Sequence, residues 1–459
     1  MRITVIGTGY LGAVHAAGMA ALGHDVLGVD ADAAKIEALK AGNAPFFEPG
    51  LPELLRETVG QGSLRFTTSI AEAAAFGDVH FICVGTPQLP GSDAADLRFV
   101  NGVVSELVQL LDRPGLIVGK STVPVGTARR LAELVMNDAP TGSALAWNPE
   151  FLREGFAVED TLSPDRLVFG VNDSVSEQVL RSVYAPILEA GVPCFVSDLE
   201  TAELVKVAAN SFLAMKISFI NSMAEVCEAV GADVVTLADA IGQDARIGRR
   251  FLNSGVGFGG GCLGKDIRAF RARGIELGVG EALEFLGEVD NVNNRRRARV
   301  VDLATEILDG DVSGRRITIL GAAFKPNSDD VRDSPALHVA KALHELGADV
   351  RVHDPAAIEN ARRVAPSLYY AELLDDAFAG SELAIHLTEW TQYRELDPRL
   401  LSGRVANTVM IDGRNALDVE KWTKAGWTFH ALGRSISPAW QDAARNETGD
   451  FDTAEIAVA

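Results

Sequence analysis

The sequence concentrates reactive side chains in one run, Gly255-Val256-Gly257-Phe258-Gly259-Gly260-Gly261-Cys262-Leu263-Gly264-Lys265-Asp266. A flexible linker is one reading of so many glycines, but linkers are rich in Ser and poor in Phe and Cys. Small residues around a thiol let a substrate carbon reach the sulfur. Lys265 beside Cys262 favours the thiolate, the nucleophilic form. Asp266 supplies a carboxylate able to take a proton. Cys83, Cys194 and Cys227 lie in apolar strand or helix patterns and read as inert core. With no C-x-x-C pair, neither a disulfide framework nor a metal site is expected.

A second cluster opens the chain. Gly7-Thr8-Gly9-Tyr10-Leu11-Gly12 follows an apolar strand and starts a helix. Gly7 permits a tight turn, Gly9 lets the backbone approach a pyrophosphate, and Gly12 allows close helix–strand packing. The helix N-terminus then offers free N–H groups to the phosphates. Asp30 ends the next strand, where a carboxylate accepts the adenosine ribose hydroxyls and repels a 2′-phosphate, so NAD is expected rather than NADP. Lys35 falls near that ribose or on a solvated helix face. Gly85-Thr86-Pro87 and Ser121-Thr122-Val123-Pro124 follow apolar runs, at the strand ends where open α/β sheets bind ligands. A hydride acceptor beside a nucleophilic thiol suits aldehyde oxidation: the aldehyde adds to sulfur, hydride leaves, and water hydrolyses the thioester. Starting from an alcohol, one site performs two oxidations.

These residues need elements to hold them. Ile3–Ile6, Val26–Val29, His80–Val84 and Leu116–Gly119 read as strands alternating with helical patterns, which implies a parallel sheet covered on both faces. The pattern recurs. Ile3-Thr4-Val5-Ile6-Gly7 is echoed by Ile317-Thr318-Ile319-Leu320-Gly321, and Leu22–Asp30 by Leu346–Asp354, with ten extra residues between the strands of the later copy, near Phe324–Asp330. Between the copies, Glu203–Val230 has no Pro or Gly and carries apolar residues at spacings of three and four, so it reads as one long helix. That helix either packs against a second subunit or is buried within its own domain. The fold expected is α/β, two Rossmann-like doubly wound domains joined by a long central helix. Its parts are a dinucleotide-binding domain over 1–197, a central helical dimerisation domain with the cysteine loop over 198–300, a second Rossmann-like domain over 312–440 and a flexible tail over 441–459.

The net charge of −21 argues against nucleic acid and anionic membrane surfaces as partners, and makes a local cluster of Arg and Lys necessary if the substrate is anionic. No signal peptide or spanning apolar run is legible, and the cysteine usage points to a reducing cytoplasm.

Several strings together resemble the UDP-glucose/GDP-mannose 6-dehydrogenase family over roughly Met1 to Gly433: Ser121–Pro124, Asn148–Gly155, Glu203–Asn210, the glycine–cysteine loop, and Phe324–Arg332. Thr161–Val168 is more similar to the UDP-glucose branch than to the GDP-mannose branch. The resemblance implies NAD-dependent oxidation of UDP-glucose to the acid by a homodimer or higher homo-oligomer. It implies Cys262 as nucleophile, and Asp266, Lys206 and Asn210 as the network around an active-site water that Thr122 orients. Glu150 becomes the base for thioester hydrolysis, while Glu154, Lys265 and Arg332 fall on the cofactor side. Lys325 and Arg414 become substrate cations, Arg246 an arginine supplied by the partner subunit, and Phe151, Leu152, Phe258 and Gly259 the sugar pocket. Gly261 and Gly264 replace the Ser and Pro of many relatives and are expected to loosen the loop. The competing readings are GDP-mannose or a UDP-hexosamine as substrate, a β-hydroxyacid dehydrogenase, which would have no use for Cys262, and a non-catalytic NAD-binding module.

Overall fold

The computed structural model describes residues 1–434; the tail expected over 441–459 lies outside the described residues. The first sheet contains β1 (Arg2–Ile6), β2 (Asp25–Val29), β3 (Leu64–Thr67), β4 (Val79–Ile82), β5 (Leu116–Gly119), β6 (Ala144–Trp147), β7 (Leu167–Gly170) and β8 (Cys194–Ser197). Their spatial order is β3-β2-β1-β4-β5-β6-β7-β8. The first six strands follow the doubly wound order whose direction reverses between β1 and β4, and ligands bind at such a switch point. β7 meets β6 antiparallel through Trp147 and Gly170, so the last two strands run against the rest. Buried apolar residues cover both faces, with Val14, Phe81 and Phe169 on one side and Val104, Leu131 and Trp147 on the other.

The second sheet repeats the plan. β9 (Arg316–Leu320), β10 (Asp349–His353), β11 (Tyr369–Tyr370), β12 (Leu383–His386), β13 (Val409–Asp412) and β14 (Thr428–Ala431) lie in the order β11-β10-β9-β12-β13-β14, all parallel. The internal repeat is thus a repeated topology. The enlargement falls where the sequence placed it: residues 7–9 join β1 to its helix, whereas residues 321–334 join β9 to the Pro335–Glu345 helix.

Between the sheets runs the Leu199–Val230 helix. It starts four residues before Glu203 because Asp198 caps it, accepting from Thr201 N at 2.7 Å, and it ends at the left-handed Gly231. The helices Leu263–Glu276 and Phe285–Ile307 pack beside it around Ala214, Phe258, Ile267, Leu286 and Val289. No helix among the described residues is long and apolar enough to cross a membrane.

Candidate active site

The turn after β1 has the geometry a dinucleotide needs. Gly7 adopts φ +94, and a Cβ on Gly12 would collide with the Gly7 carbonyl, so glycine at both positions lets the helix sit against the strand. A Cβ on Gly9 would meet nothing within 4 Å, so this backbone faces open space. The Tyr10–Ala21 helix starts there without a side-chain cap or an acidic first turn, leaving its N–H groups for an anion. Asp30 accepts Thr8 N at 2.9 Å and pairs with Lys35 Nζ at 2.9 Å. Burial works against its charge, but Lys35 and the amides of Asp32 and Thr8 hold it below the ordinary carboxylate range. These residues fit NAD. The second copy does not: Asp354, at the place of Asp30, is buried and bonded to Ala322 N, Ala323 N and Trp390 Nε1, so no ribose can reach it.

The glycine–cysteine loop is a seam between domains. A Cβ on Gly255 would lie 2.6 Å from the Gly413 carbonyl and one on Gly260 2.8 Å from the Phe324 ring. On Gly259 it would collide with the Asp333 carbonyl, and on Gly261 with the Arg332 guanidinium. The glycines therefore admit the second domain to close contact. At Gly261 and Gly264 a Cβ would meet only side-chain ends, the Arg332 guanidinium at the first and Arg268 and Asp333 at 3.2 Å at the second. Arg414 staples the seam, donating to the carbonyls of Gly257 at 2.9 Å, Phe324 at 3.1 Å and Leu387 at 2.7 Å. Phe258 is 6% exposed and packs with Ala214, Ile267, Leu286 and Val289 beside the central helix.

Cys262 opens the Leu263–Glu276 helix and is exposed to solvent, yet dense protein surrounds it. Burial of the sulfur, then the charges of Glu150 and Asp266, push its thiol up to about 12 against the opposing pull of Lys206. The expected thiolate-favouring role of Lys265 fails on geometry, because its ammonium is bound to Asp266 Oδ1 at 2.6 Å. Lys206 is a cation whose field does reach the thiol. Burial disfavours its charge, but Glu150, Cys262 and Asp266 outweigh this and hold its pKa above the ordinary lysine value. Lys206 pairs with Glu150 Oε1 at 2.9 Å, and Leu152 N donates to Glu150 Oε2 at 2.8 Å. Asn210 Nδ2 donates to Asp266 Oδ2 at 2.7 Å. Lys206 and Asp266 form no salt bridge; they act on one another through space. The Phe151 ring lies under Lys206 and Arg166.

Thr122 is held by its carbonyl, which accepts from Thr86 Oγ1 at 2.7 Å. Glu154 reaches the second domain, pairing with Arg332 at 3.1 Å and accepting from Ser328 Oγ at 3.3 Å. Burial and then Asp330 push Glu154 up to about 7 against the opposing pull of Arg332, which also pairs with Asp330. Lys325 stands close enough to feel Glu154, Cys262 and Glu48, and burial lowers its pKa. Arg246 is not brought to this cleft: its side chain is 89% exposed and paired with Asp244.

Two supporting residues escaped the sequence reading. Glu203 accepts Gly126 N and Ala128 N, each at 2.7 Å, fixing the start of the Thr127–Asp138 helix after Thr122. Its spacing of three and seven from Lys206 and Asn210 placed all three on one helix face, the available signal. Lys120, buried beneath the site, donates to Asn148 Oδ1 at 2.9 Å and is lowered to about 8 by burial. Nothing in its local pattern distinguishes it.

Comparison with known proteins agrees with this architecture. Three models of the UDP-glucose/GDP-mannose dehydrogenase family match the chain: the NAD binding domain over residues 1–188, the central domain over 200–295 and the UDP binding domain over 318–419. The chain is 39% identical to the UDP-glucose 6-dehydrogenase YwqF of Bacillus subtilis, over 95% of this chain and 98% of that protein. It is 40% identical to a UDP-glucose 6-dehydrogenase of Rhizobium meliloti, over 95% of this chain and 100% of that protein. A UDP-glucose dehydrogenase structure from Pyrobaculum islandicum superposes with a TM-score of 0.86 at 40% identity, covering 94% of this chain and 98% of that one. With a dinucleotide turn, a thiol in a glycine seam and a second Rossmann-like domain in that order, the chain belongs to the UDP-glucose/GDP-mannose dehydrogenase family.

Proposed function

We propose that the chain oxidises the C6 alcohol of UDP-glucose to UDP-glucuronate in two steps at one site. The observation that carries this reading is the convergence on Cys262 of Lys206, Glu150 and Asp266, with Asn210 bonded to Asp266. The names of the relatives at about 40% identity support UDP-glucose as the sugar nucleotide. NAD, when bound at the turn after β1, supplies the hydride acceptor for both oxidations.

The residues then divide the work. Asp266 takes the alcohol proton through a water that Thr122 orients. Lys206 and Asn210 stabilise negative charge on the C6 oxygen. Because the thiol of Cys262 sits at about 12, it loses its proton as it attacks. The S–C6 bond forms, the carbonyl pair moves to oxygen beside Lys206, and the proton leaves through the water at Asp266. Loss of the second hydride leaves a thioester. Glu150 takes a proton from the attacking water, the acid departs and the thiol is restored. Lys325, which makes no salt bridge among the described residues, answers the diphosphate, and Lys35 with Asp30 faces the ribose of NAD. Phe151, Leu152 and Gly259 bound the sugar, and Arg414 holds the loops around it.

A second copy of the chain completes the molecule in this reading. Phe212, Phe219 and Val226 are 57%, 49% and 53% exposed and lie seven residues apart, one apolar stripe along the Leu199–Val230 helix. Such an exposed stripe suits a partner helix, and the exposed Arg246, held by its neighbour Asp244, suits the partner's substrate. Cys262→Ala is the direct test of the chemistry. Acid formation from UDP-glucose falls by at least ~10³-fold; a variant that still makes UDP-glucuronate at the parent rate contradicts the thioester route.

A further inference from the structure

Glu48 is buried, lies outside every motif named above, and stands where three parts of the site meet. Its Oε2 accepts Gly155 N at 2.6 Å and its Oε1 accepts Ala157 N at 2.8 Å. The Tyr10 phenol donates to the same Oε2, and Gly155 N is shared with the Tyr10 oxygen at 3.0 Å. Tyr10 is the first residue of the helix whose N-terminus faces the dinucleotide, and its ring is fixed against Phe46 at 4.7 Å between centroids. Gly155 immediately follows Glu154 and ends the segment that begins at Glu150. The same helix touches that segment's continuation lower down, where a Cβ on Gly18 would collide with Thr161.

The far side of the segment is held by the second domain. A Cβ on Gly155 would lie 2.9 Å from the Asn327 carbonyl, and Glu154 bonds Arg332 and Ser328. Only an acceptor-only group satisfies three converging donors at once, and a carboxylate is that group. A glutamine has one acceptor oxygen and turns its NH2 toward a donor. A helix cap alone explains the bonds to Gly155 and Ala157 but not the phenol of Tyr10 in the same arrangement.

We propose that Glu48 is a positioning residue that couples the dinucleotide turn, through Tyr10, to the Glu150–Glu154 segment. A ligand that fixes the backbone at Gly9 and Tyr10 thereby orders Gly155 and the carboxylates before it. The proposal rests on NAD binding at the turn after β1, and not on the identity of the sugar.

Amide hydrogen exchange of a peptide spanning residues 151–158, with and without NAD, tests it without turnover. In the parent protein NAD slows exchange of this segment by about tenfold, the scale of an ordinary coupling between sites. In Glu48→Gln the NAD-dependent slowing disappears while NAD still binds. Tyr10→Phe, a nearly isosteric change that serves if Glu48→Gln fails to fold, shows the same loss, and the double variant loses no more than either single one. A purely structural cap would instead raise exchange equally with and without NAD, which overturns the proposal. So does a parent protein whose segment ignores NAD. A chain that binds NAD but oxidises no nucleotide sugar leaves this test intact, so the two readings fail separately.

Discussion

At the scale of single residues, the site is governed by which charges share a partner. Arg332 lies 2.6 Å from Asp330 and 3.1 Å from Glu154, so neither carboxylate has the cation to itself. Burial, and then the charge of Asp330, push Glu154 up to about 7 despite the opposing pull of Arg332. Between the ordinary carboxylate value and about 7, the folded chain keeps a proton that the unfolded chain has released. Stability contributed by this group therefore falls as pH rises through that window and is level above it. Urea unfolding at pH 5 and pH 7.5 reads this directly: the parent loses on the order of 2 kcal/mol relative to Glu154→Gln between those values. An unchanged difference contradicts it. Residue types alone pointed to Cys262 and Asp266 as reactive, and the family resemblance added Glu150. They did not show that Lys265 is held by Asp266 or that Lys206 is held by Glu150, because those pairings depend on where side chains point.

At the scale of elements, the glycine–cysteine loop illustrates how sequence misleads about rigidity. Its composition suggests freedom around a thiol, and its glycines instead stand where the second domain's backbone and Arg332 press closest. Gly259→Ala tests this. The new Cβ meets the Asp333 carbonyl and Pro335, and the variant is destabilised by about 1–3 kcal/mol in denaturant unfolding; a variant of parental stability means the seam is looser than described. The strands were legible where apolar runs end in turn residues: Leu116–Gly119 was read at the bounds β5 adopts. The reversed direction of β7 and β8 was not legible, since it shows only in the antiparallel pairing of Trp147 with Gly170. The long helix was legible from its spacing, but its true start was hidden in the capping geometry of Asp198.

At the scale of the whole molecule, two sheets that share a six-strand order differ in what they hold. In the first, Asp30 lies beside an open glycine turn; in the second, Trp390 and four backbone amides occupy Asp354, and the enlarged loop carries Lys325 instead. That division was visible as a repeat with ten additional residues, though its chemical consequence needed the buried partners of Asp354. The exposed stripe on the central helix extends the account to assembly. Phe219→Asp places a charge in it, and light scattering is expected to show a dimer or larger species for the parent and a smaller one for the variant. A monomeric parent at micromolar concentration removes the second copy from the reading. The central claim is that one thiol-assisted site removes two hydrides from one sugar. Limiting UDP-glucose with excess NAD, followed by absorbance to completion, counts them. The account predicts about two NADH per sugar, the stoichiometry of alcohol-to-acid oxidation through a covalent intermediate; a count of one would mean that oxidation stops at the aldehyde and that Cys262 has no thioester to form.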